Sequence, residues 1–418
     1  MNNPPDTKCS AIPSQAWGVF ALLLSINLFN YIDRQVLYAV FPLIKTDLRL
    51  SDAALGFLGS SFMLVYMFGA PAIGYLADRG RRPFWLGAGT IVWSFATALA
   101  GFSRSYVQLL LARSAVGIGE AAYTTISPSY LAEYFPAHMR ARIMAFFTAA
   151  TPVGSAAGYI LGGLLAEYWG WRAAFFLVGI PGLFLGISAL HLKDCHHEPV
   201  SQATAPKLRD YADLFKNRTF LLTTLAVSAA TFTLGGLAAW MPSYFTRYFG
   251  YSVGQAGMTF GALTVAAGIL GTLAGGWSAD MLAKKTNKAY FIVSAAGFIA
   301  SIPLGLAALN ASSTFAALTL LFLAETAVFM HSGPLNASII AISPGNMRSM
   351  AFAAFIFTMH ALGDAVSPTL IGALSDATSL KTAVSACICV LAAAAMFCLI
   401  ALSPRLNAGI NTTEAKIS

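Results

Sequence analysis

The chain has 418 residues, of which 57% are hydrophobic and only 10% are charged. A soluble domain carries about 25% charged residues because its surface faces water, so this composition argues against a soluble enzyme. The net charge of +8 does not indicate a nucleic-acid partner, because membrane proteins gather Lys and Arg on their cytoplasmic side. Five scattered cysteines show no metal-ligand spacing and no paired framework, so we interpret them as apolar packing residues.

Apolar stretches of about 20 residues recur along the chain, and each is long enough to cross roughly 30 Å of hydrocarbon as a helix. The sequence therefore predicts an all-α membrane protein with twelve transmembrane helices. No basic run precedes the first stretch, so we expect a retained helix rather than a cleaved signal peptide. The predicted spans are residues 17–43, 53–76, 84–101, 106–133, 143–167, 173–192, 219–247, 255–281, 290–309, 315–341, 350–373 and 382–403.

The longest polar interruption, residues 193–218, separates two groups of six predicted spans. It divides the chain into a first six-helix bundle (1–192), a linker, a second six-helix bundle (219–404) and a tail (405–418). With the N-terminus inside, 17 Lys and Arg fall on the cytoplasmic side and 6 on the outer side. This asymmetry predicts a protein of the cell (inner) membrane whose two termini are both cytoplasmic.

Short patterns recur at similar offsets in the two predicted bundles. Gly74–Asp78 and Gly276–Asp280 share G-x-x-A-D and lie 202 residues apart, and Pro136–Arg140 and Pro344–Arg348 share P-x-x-M-R at an offset of 208. The common offset and the equivalent placement indicate two similar halves, which is a pattern of transporters. Fainter copies of the first pattern end the fifth and eleventh predicted helices, 209 residues apart: Gly163–Glu167 and Gly372–Asp376.

Some of these stretches resemble known transporter signatures. The loop Gly74–Arg82 resembles that of the major facilitator superfamily, and Arg113–Glu120 resembles the fourth-helix motif of the same superfamily. Asn30–Arg34, Gly333–Asn336 and His360–Asp376 are similar to its Spinster subfamily. The resemblance implies a transporter with the major facilitator fold of two pseudo-symmetric six-helix bundles. It also implies lysophospholipids and sphingosine-1-phosphate as substrates of eukaryotic relatives, although the short tails are more similar to those of a prokaryotic member.

Four ionisable residues fall inside the first and fourth predicted helices: Asp33, Arg34, Arg113 and Glu120. A charge at mid-membrane costs roughly 2.5–3.5 kcal/mol on insertion scales, so such residues usually face a bundle interior or a cavity. Arg113 and Glu120 are seven positions apart and therefore share one helix face, about 10 Å apart along its axis. We expect alternative ion pairs among the four.

An exchange of ion-pair partners between conformations would change the proton affinity of Asp33 or Glu120. The sequence therefore predicts that these two carboxylates couple transport to protons, with Arg34 and Arg113 as their charge partners. Two alternatives remain open. The four residues could form a static network that holds helices one and four together, or an arginine could bind a substrate phosphate.

Further polar residues are candidates for the substrate cavity in both halves. In the first half, Asn30 and Tyr31 belong to the first predicted helix. Each candidate either lines the cavity or makes an interhelical hydrogen bond that only supports packing. The candidates in the second half are Glu325, His331, Asn336, His360 and Asp364.

A cytoplasmic gate is predicted at the basic loops, where an aspartate ends a helix beside an arginine-rich turn. Such a carboxylate suits a charge latch with an arginine at a neighbouring helix end. The alternative is that the basic residues only set the topology. The gate candidates are Gly74, Asp78, Arg82, Arg140, Asp280 and Arg348.

The predicted function is proton-coupled transport by alternating access. An amphipathic or lipid-like substrate fits best, because aromatic residues are plentiful and few charges face the cavity. A proton-coupled carrier of small organic anions or drug-like compounds is the second possibility. No nucleotide, nucleic acid, metal or cofactor is expected, since there is no P-loop and Gly117–Glu120 lies inside an apolar helix. Protons, substrate and membrane lipids are the expected partners. A membrane-embedded enzyme would need a catalytic cluster, and the sequence offers no plausible one. A receptor with this fold would differ from a transporter in showing no flux.

Overall fold

The computed structural model describes residues 13–77, 79–194, 214–343 and 348–402. This part of the chain is helical throughout and contains no strand. Most of the predicted linker (193–218) and the whole predicted tail (405–418) lie outside the described residues. Helices of eight residues or more are α1 (Pro13–Ala39), α2 (Phe41–Leu48), α3 (Asp52–Ala77), α4 (Arg82–Gly101), α5 (Tyr106–Glu133), α6 (Ala137–Trp169), α7 (Trp171–Leu190), α8 (Arg218–Tyr248), α9 (Val253–Ala283), α10 (Ala289–Asn310), α11 (Thr314–Phe329), α12 (Ser332–Ile342), α13 (Arg348–Leu362), α14 (Ser367–Ala377), α15 (Leu380–Cys389) and α16 (Leu391–Ala401).

Eleven helical stretches among the described residues are long and apolar enough to span a membrane. The predicted span 106–133 is not one of the eleven, because Arg113 and Glu120 lower the hydropathy of α5. It is nevertheless 28 residues long and packs against both α3 and α4. The protein is therefore a multi-pass membrane protein with the twelve-helix architecture that the sequence predicts.

Three predicted spans of the second half are each built from two helical segments in the structure. Residues 315–341 form α11 and α12, residues 350–373 form α13 and α14, and residues 382–403 form α15 and α16. Pro368 occupies the first turn of α14, where its missing N–H group does no harm, whereas a continuous helix would clash with its ring. Proline thus accounts for the break between α13 and α14.

The two halves meet through two helix pairs that are equivalent by the internal repeat. The fifth span, α6, packs along the eighth span, α9, and the second span, α3, packs along α14 of the eleventh. Within the first half, α1 lies on α6, and α4 lies against α5 and α7. Helix α6 therefore lies between the first helix of its own half and a helix of the other half.

Glycines let α6 approach both of these neighbours closely. A Cβ atom at Gly158 would lie 2.6 Å from the carbonyl oxygen of Ile32 in α1, and Gly154 and Gly162 face the same helix. Gly163 faces the other way, where a Cβ atom would lie 2.7 Å from a carbonyl oxygen of α9. Small residues at such crossings allow backbones to pack in the absence of a hydrophobic driving force.

Replacing Gly158 by leucine should therefore force α1 and α6 apart. Overpacking a tight contact costs about 1–3 kcal/mol or more, so the melting temperature of the purified protein in detergent should fall. Gly276→Ala is the matched control, because nothing lies within 4 Å of a Cβ atom there. Equal melting temperatures for the two variants would contradict the α1–α6 contact.

Candidate functional site

Helices α1 and α5 bring the four predicted charges together as two ion pairs. Arg113 donates to both carboxylate oxygens of Asp33 at 3.1 and 3.2 Å, and Arg34 Nε donates to Glu120 Oε2 at 2.7 Å. Asp33 and Glu120 are fully buried, and the Arg113 side chain is 1% exposed. The Arg34 side chain is 14% exposed, so it is the one charge of the four that a ligand can reach directly.

Helix geometry explains why the pairs are arranged in this way. Adjacent residues of a helix point about 100° apart, so Asp33 and Arg34 cannot both face the same residue of α5. Arg113 and Glu120 lie two turns apart on one face of α5 and supply one partner to each. An acid and a base thus come from each helix, and either carboxylate has both guanidinium groups close by.

Hydrogen bonding in this charge cluster is incomplete. Arg113 Nε and Glu120 Oε1 are buried without a hydrogen-bond partner, and so are both amide atoms of the fully buried Asn30. Buried polar atoms are nearly always hydrogen-bonded in native structures. The spare donor and acceptor mean that each of these ions is able to take a second partner without giving up the first.

Aromatic rings surround the reachable arginine. The guanidinium carbon of Arg34 lies 5.1 Å from the ring centre of Tyr31, and 5.2 Å from those of Phe62 and Tyr66 in α3. Each such cation–π contact contributes about 0.5–2 kcal/mol, depending on desolvation. The Tyr66 hydroxyl is also hydrogen-bonded to Thr124 at 2.9 Å. The result is a partly exposed guanidinium group surrounded by three aromatic rings, which we call the aromatic recess.

The predicted cavity residues of the second half do not form one cluster. His360 Nδ1 lies 2.9 Å from the Asp364 carboxylate, and both side chains are half-buried at the break between α13 and α14. His331 contacts the Val328 carbonyl of its own chain segment through Nδ1 at 2.6 Å. Asn336 is exposed on α12. Glu325 is buried by itself in α11.

The predicted cytoplasmic gate is only partly within the described residues. Arg82 binds Glu133 of α5 at 2.7 Å and Asp194, at the start of the predicted linker, at 2.8 Å. Arg140 donates to the Phe135 carbonyl at 3.0 Å, and Asp280 is exposed near the end of α9. Gly74 packs close to Thr125. Asp78 and the side chain of Arg348 lie outside the described part, so the gate remains a prediction.

Sequence reasoning missed a charge network at the opposite end of the bundle, which we call the closed face: Lys45, Asp52, Arg247, Ser375 and Asp376. Asp52 begins α3 and accepts two hydrogen bonds from Arg247 of α8, both at 2.6 Å. It also accepts hydrogen bonds from Ser375 of α14 at 2.6 Å and from Lys45 at 2.5 Å. One buried carboxylate therefore ties the first half to two helices of the second.

Two further carboxylates bind helix N-termini across this face. Asp376 accepts from the backbone N–H groups of Asp52 and Ala53 at 2.9 and 2.8 Å. Glu167 accepts from the N–H of Gly254 at 2.8 Å and from the Ser252 hydroxyl at 2.7 Å. The first N–H groups of a helix have no intrahelical partner and carry partial positive charge. Each carboxylate therefore stabilises the first turn of a helix in the other half.

The fainter repeat in the sequence ends in these same two acids, Glu167 and Asp376. The repeat could have predicted that these acids make equivalent contacts, but it carries no information about which groups the acids bind. Two other hydrogen bonds also join the halves. Tyr159 donates to the Ala238 carbonyl at 2.7 Å, and Thr369 donates to the Ser60 hydroxyl at 2.7 Å. The two halves are thus held together at the closed face.

Comparison with known proteins agrees with this architecture. The sequence profile of the Major Facilitator Superfamily matches residues 23–368. A solved bacterial homologue of the human lysosomal transporter Spinster, described as inward-facing and unoccupied, superposes with a TM-score of 0.82 at 24% identity, covering 94% of this chain and 98% of that one. The protein is a transporter of the major facilitator superfamily rather than an enzyme.

Curated relatives narrow the family further. The chain is 35% identical to protein spinster homolog 1 of Xenopus tropicalis over 86% of its own length and 72% of that protein. It is 32% identical to protein spinster of Drosophila melanogaster, of which it spans 64%. It is 33% identical to the sphingosine-1-phosphate transporter SPNS2 of Xenopus tropicalis, over 85% of this chain and 73% of that protein. Within the superfamily, the chain belongs to the Spinster family.

Removing one member of the buried Asp33–Arg113 pair should destabilise the fold strongly. Arg113→Ala leaves an unpaired buried carboxylate, and such changes cost about 3–5 kcal/mol. The double variant Asp33→Asn/Arg113→Gln removes both charges and should recover part of the loss. Denaturant unfolding in detergent measures both. Asp47→Asn is the control, because its pair with Arg172 is exposed and worth at most about 1 kcal/mol. An Arg113→Ala loss no larger than the control would contradict the assignment.

Removing both helix-capping carboxylates should open the closed face. Hydrogen bonds to charged groups contribute about 1.5–3 kcal/mol each, so Glu167→Ala/Asp376→Ala should populate a conformation in which the two halves lie further apart at this face. Spin labels at Thr46 and Thr378, whose hydroxyls bond only to their own helices, report it by pulsed electron resonance. Glu133→Ala, a carboxylate within one half, is the control. An unchanged distance distribution in the double variant would show that these two carboxylates do not hold the closed face together.

Proposed function

We propose that this transporter moves an amphipathic, lipid-like substrate by alternating access and that protons bound at Asp33 and Glu120 drive it. The observation that carries the proposal is the pair of buried ion pairs between α1 and α5. Two acids and two bases lie together there and three of the four side chains are almost fully buried, so protonating either carboxylate would release a guanidinium group. That group must then find another partner, because leaving it unpaired costs several kcal/mol.

The spare hydrogen-bonding atoms suggest how the exchange proceeds. Glu120 Oε1 and Arg113 Nε have no partner in the closed-face conformation. When Asp33 takes a proton, Arg113 is free to turn toward the open acceptor of Glu120 on its own helix. The connection between α1 and α5 then weakens, and the two helices are able to move apart. Proton binding and helix movement are linked in this way without a further cofactor.

Two features support an amphipathic substrate. Arg34 is partly exposed and lies among three aromatic rings, which suits a phosphate or carboxylate attached to an apolar group. A relative with 33% identity is named a sphingosine-1-phosphate transporter. The arginine favours a second candidate equally, a proton-coupled carrier of small organic anions or drug-like compounds, since these also present one negative charge.

We further propose that the closed face is the outer side of the cell membrane, with both termini cytoplasmic. The excess of Lys and Arg in the loops of the opposite end supports this orientation. The structure then corresponds to a carrier that is sealed toward the outside. Substrate would enter or leave Arg34 and its aromatic recess from the cytoplasmic end.

The test uses purified protein in liposomes, with sphingosine-1-phosphate as probe and an imposed pH gradient. The gradient should accelerate flux through the wild type, because proton binding drives the ion-pair exchange. Asp33→Asn and Glu120→Gln should lose this acceleration at least tenfold while still binding the probe. Asp47→Asn, which lies in an exposed pair, should behave as the wild type.

Other outcomes decide between the alternatives. Undiminished pH dependence in both variants would leave the four charges as a static network. Flux of small organic anions without flux of sphingosine-1-phosphate or of a lysophospholipid panel would favour the second candidate. Absence of flux for every compound would point to a receptor that keeps the fold.

A further inference from the structure

Glu325 is a buried carboxylate that has no counter-charge. Its side chain is 2% exposed, its Oε2 atom has no hydrogen-bond partner, and no ion pair between described residues includes it. The polar groups recorded around it are uncharged: Tyr159 (α6) and Thr264 (α9) lie near the carboxylate, and Thr233 (α8) and Ser301 (α10) line the same small cavity. Nothing in the proposed coupling between α1 and α5 uses this residue.

Glu325 is the second-half counterpart of Glu120. It lies 205 residues after Glu120, inside the range of 202–209 that the sequence repeats define. Its helix, α11, packs against α10 and α9 as α5 packs against α4 and α3. The match in offset and in packing assigns the two glutamates to equivalent positions of the two bundles.

The arginines of the first half have no such counterparts. At the same offsets, Arg34 corresponds to the stretch 236–243 and Arg113 to the stretch 315–322. Neither stretch contains a Lys or Arg. Of the four charges in the cluster, only Glu120 therefore has a charged counterpart in the second half, because the stretch 235–242 that corresponds to Asp33 contains no acid either.

A buried, ionised carboxylate without a cation costs several kcal/mol. A proton removes this cost with the fewest structural demands, since it needs no ligands beyond the carboxylate itself. A hard metal ion would need about six oxygen ligands, and no group of three His, Cys, Asp or Glu side chains occurs among the described residues. Among cations, the surroundings of Glu325 therefore suit a proton best.

The contact between α6 and α9 separates Glu325 from the closed face. The Tyr159 ring packs on Phe260 with 5.0 Å between ring centres, and its hydroxyl donates to Ala238. Thr264, which faces Glu325, lies one helical turn beyond Phe260. Separation of α6 from α9 would remove this cover and admit water to the carboxyl group.

We propose that Glu325 is a second proton-binding site, which holds a proton while the closed face is sealed and exchanges it with water when α6 and α9 separate. The proton leaves the Glu325 carboxyl oxygen for water at that face, and no other bond changes. The site extends the proposed coupling at Asp33 and Glu120, but its existence does not require that coupling.

Infrared spectroscopy of the purified full-length protein tests the site without transport. The wild type at neutral pH should show the C=O band of a protonated carboxylic acid, and Glu325→Gln should lose the contribution of one carboxyl group from it. Glu120→Gln is the control, because that glutamate is ion-paired in this conformation and its replacement should change the band less. A band of equal intensity in the wild type and in Glu325→Gln would overturn the proposal.

Thermal stability gives an independent readout of the charge on Glu325. Glu325→Asp serves as a second variant in case Glu325→Gln does not fold. Glutamine mimics a protonated glutamate in shape and charge, so Glu325→Gln should melt with the wild type, whereas Glu120→Gln should melt at a lower temperature. If Glu325→Gln does not fold, Glu325→Asp should keep the acid band at a shifted frequency. Equal destabilisation by the two glutamine variants would show that Glu325 is ionised and overturn the proposal.

Transport in liposomes separates this site from the proposed function. With sphingosine-1-phosphate as probe, Glu325→Gln should keep pH-driven flux but accumulate less substrate at a given gradient, since one proton fewer moves per cycle. If the wild type itself shows no pH-driven flux, the proposed function is refuted, whereas the infrared result for Glu325 still stands. Unchanged accumulation in Glu325→Gln would overturn a transported proton at this site.

Discussion

The cost of placing a charge in hydrocarbon is the constraint on which this structure depends. Four charges in α1 and α5 are tolerated because each is bound to an opposite charge from the other helix, with three of them shielded completely. The pairing fixes how α1 lies against α5 and leaves Arg34 as the reachable charge. Under the proposed coupling, a proton on either carboxylate would weaken the contact between these helices, since it removes one charge of a pair.

The two halves share a backbone plan but differ in their chemistry. Equivalent helix pairs, α6 with α9 and α3 with α14, join them, and equivalent carboxylates cap helix N-termini on the closed face. The interior is not symmetric: the first half holds two ion pairs, whereas the second holds the isolated Glu325. The ion-pair exchange that we propose therefore belongs to the first half, whereas the second half contributes one carboxylate without a counter-charge.

Much of the fold could be predicted from sequence because lipid imposes a strong compositional signal. Hydrophobic runs located twelve spans, and the seven-residue spacing of Arg113 and Glu120 placed both on the face that meets α1. The closed face could not be found in this way, because Asp52 and Arg247 sit at helix ends where charges are ordinary. Apolar helices also lack a polar face, so the sequence did not show that Asn336 is exposed or that His331 contacts its own backbone.

The two carboxylates that cap helices on the closed face differ from the capped helices in how freely their residues can be substituted. Glu167 and Asp376 accept hydrogen bonds from backbone N–H groups, which every residue except proline possesses. The side chain of Ala53 is thus free to vary without loss of its hydrogen bond to Asp376, proline excepted, whereas Gly254 is constrained, because a Cβ atom there would meet the Glu167 carboxylate. The two acids, by contrast, have no substitute of equal charge and reach. The constraint on sequence at this face therefore falls on the two accepting carboxylates and on Gly254, and not on Ala53.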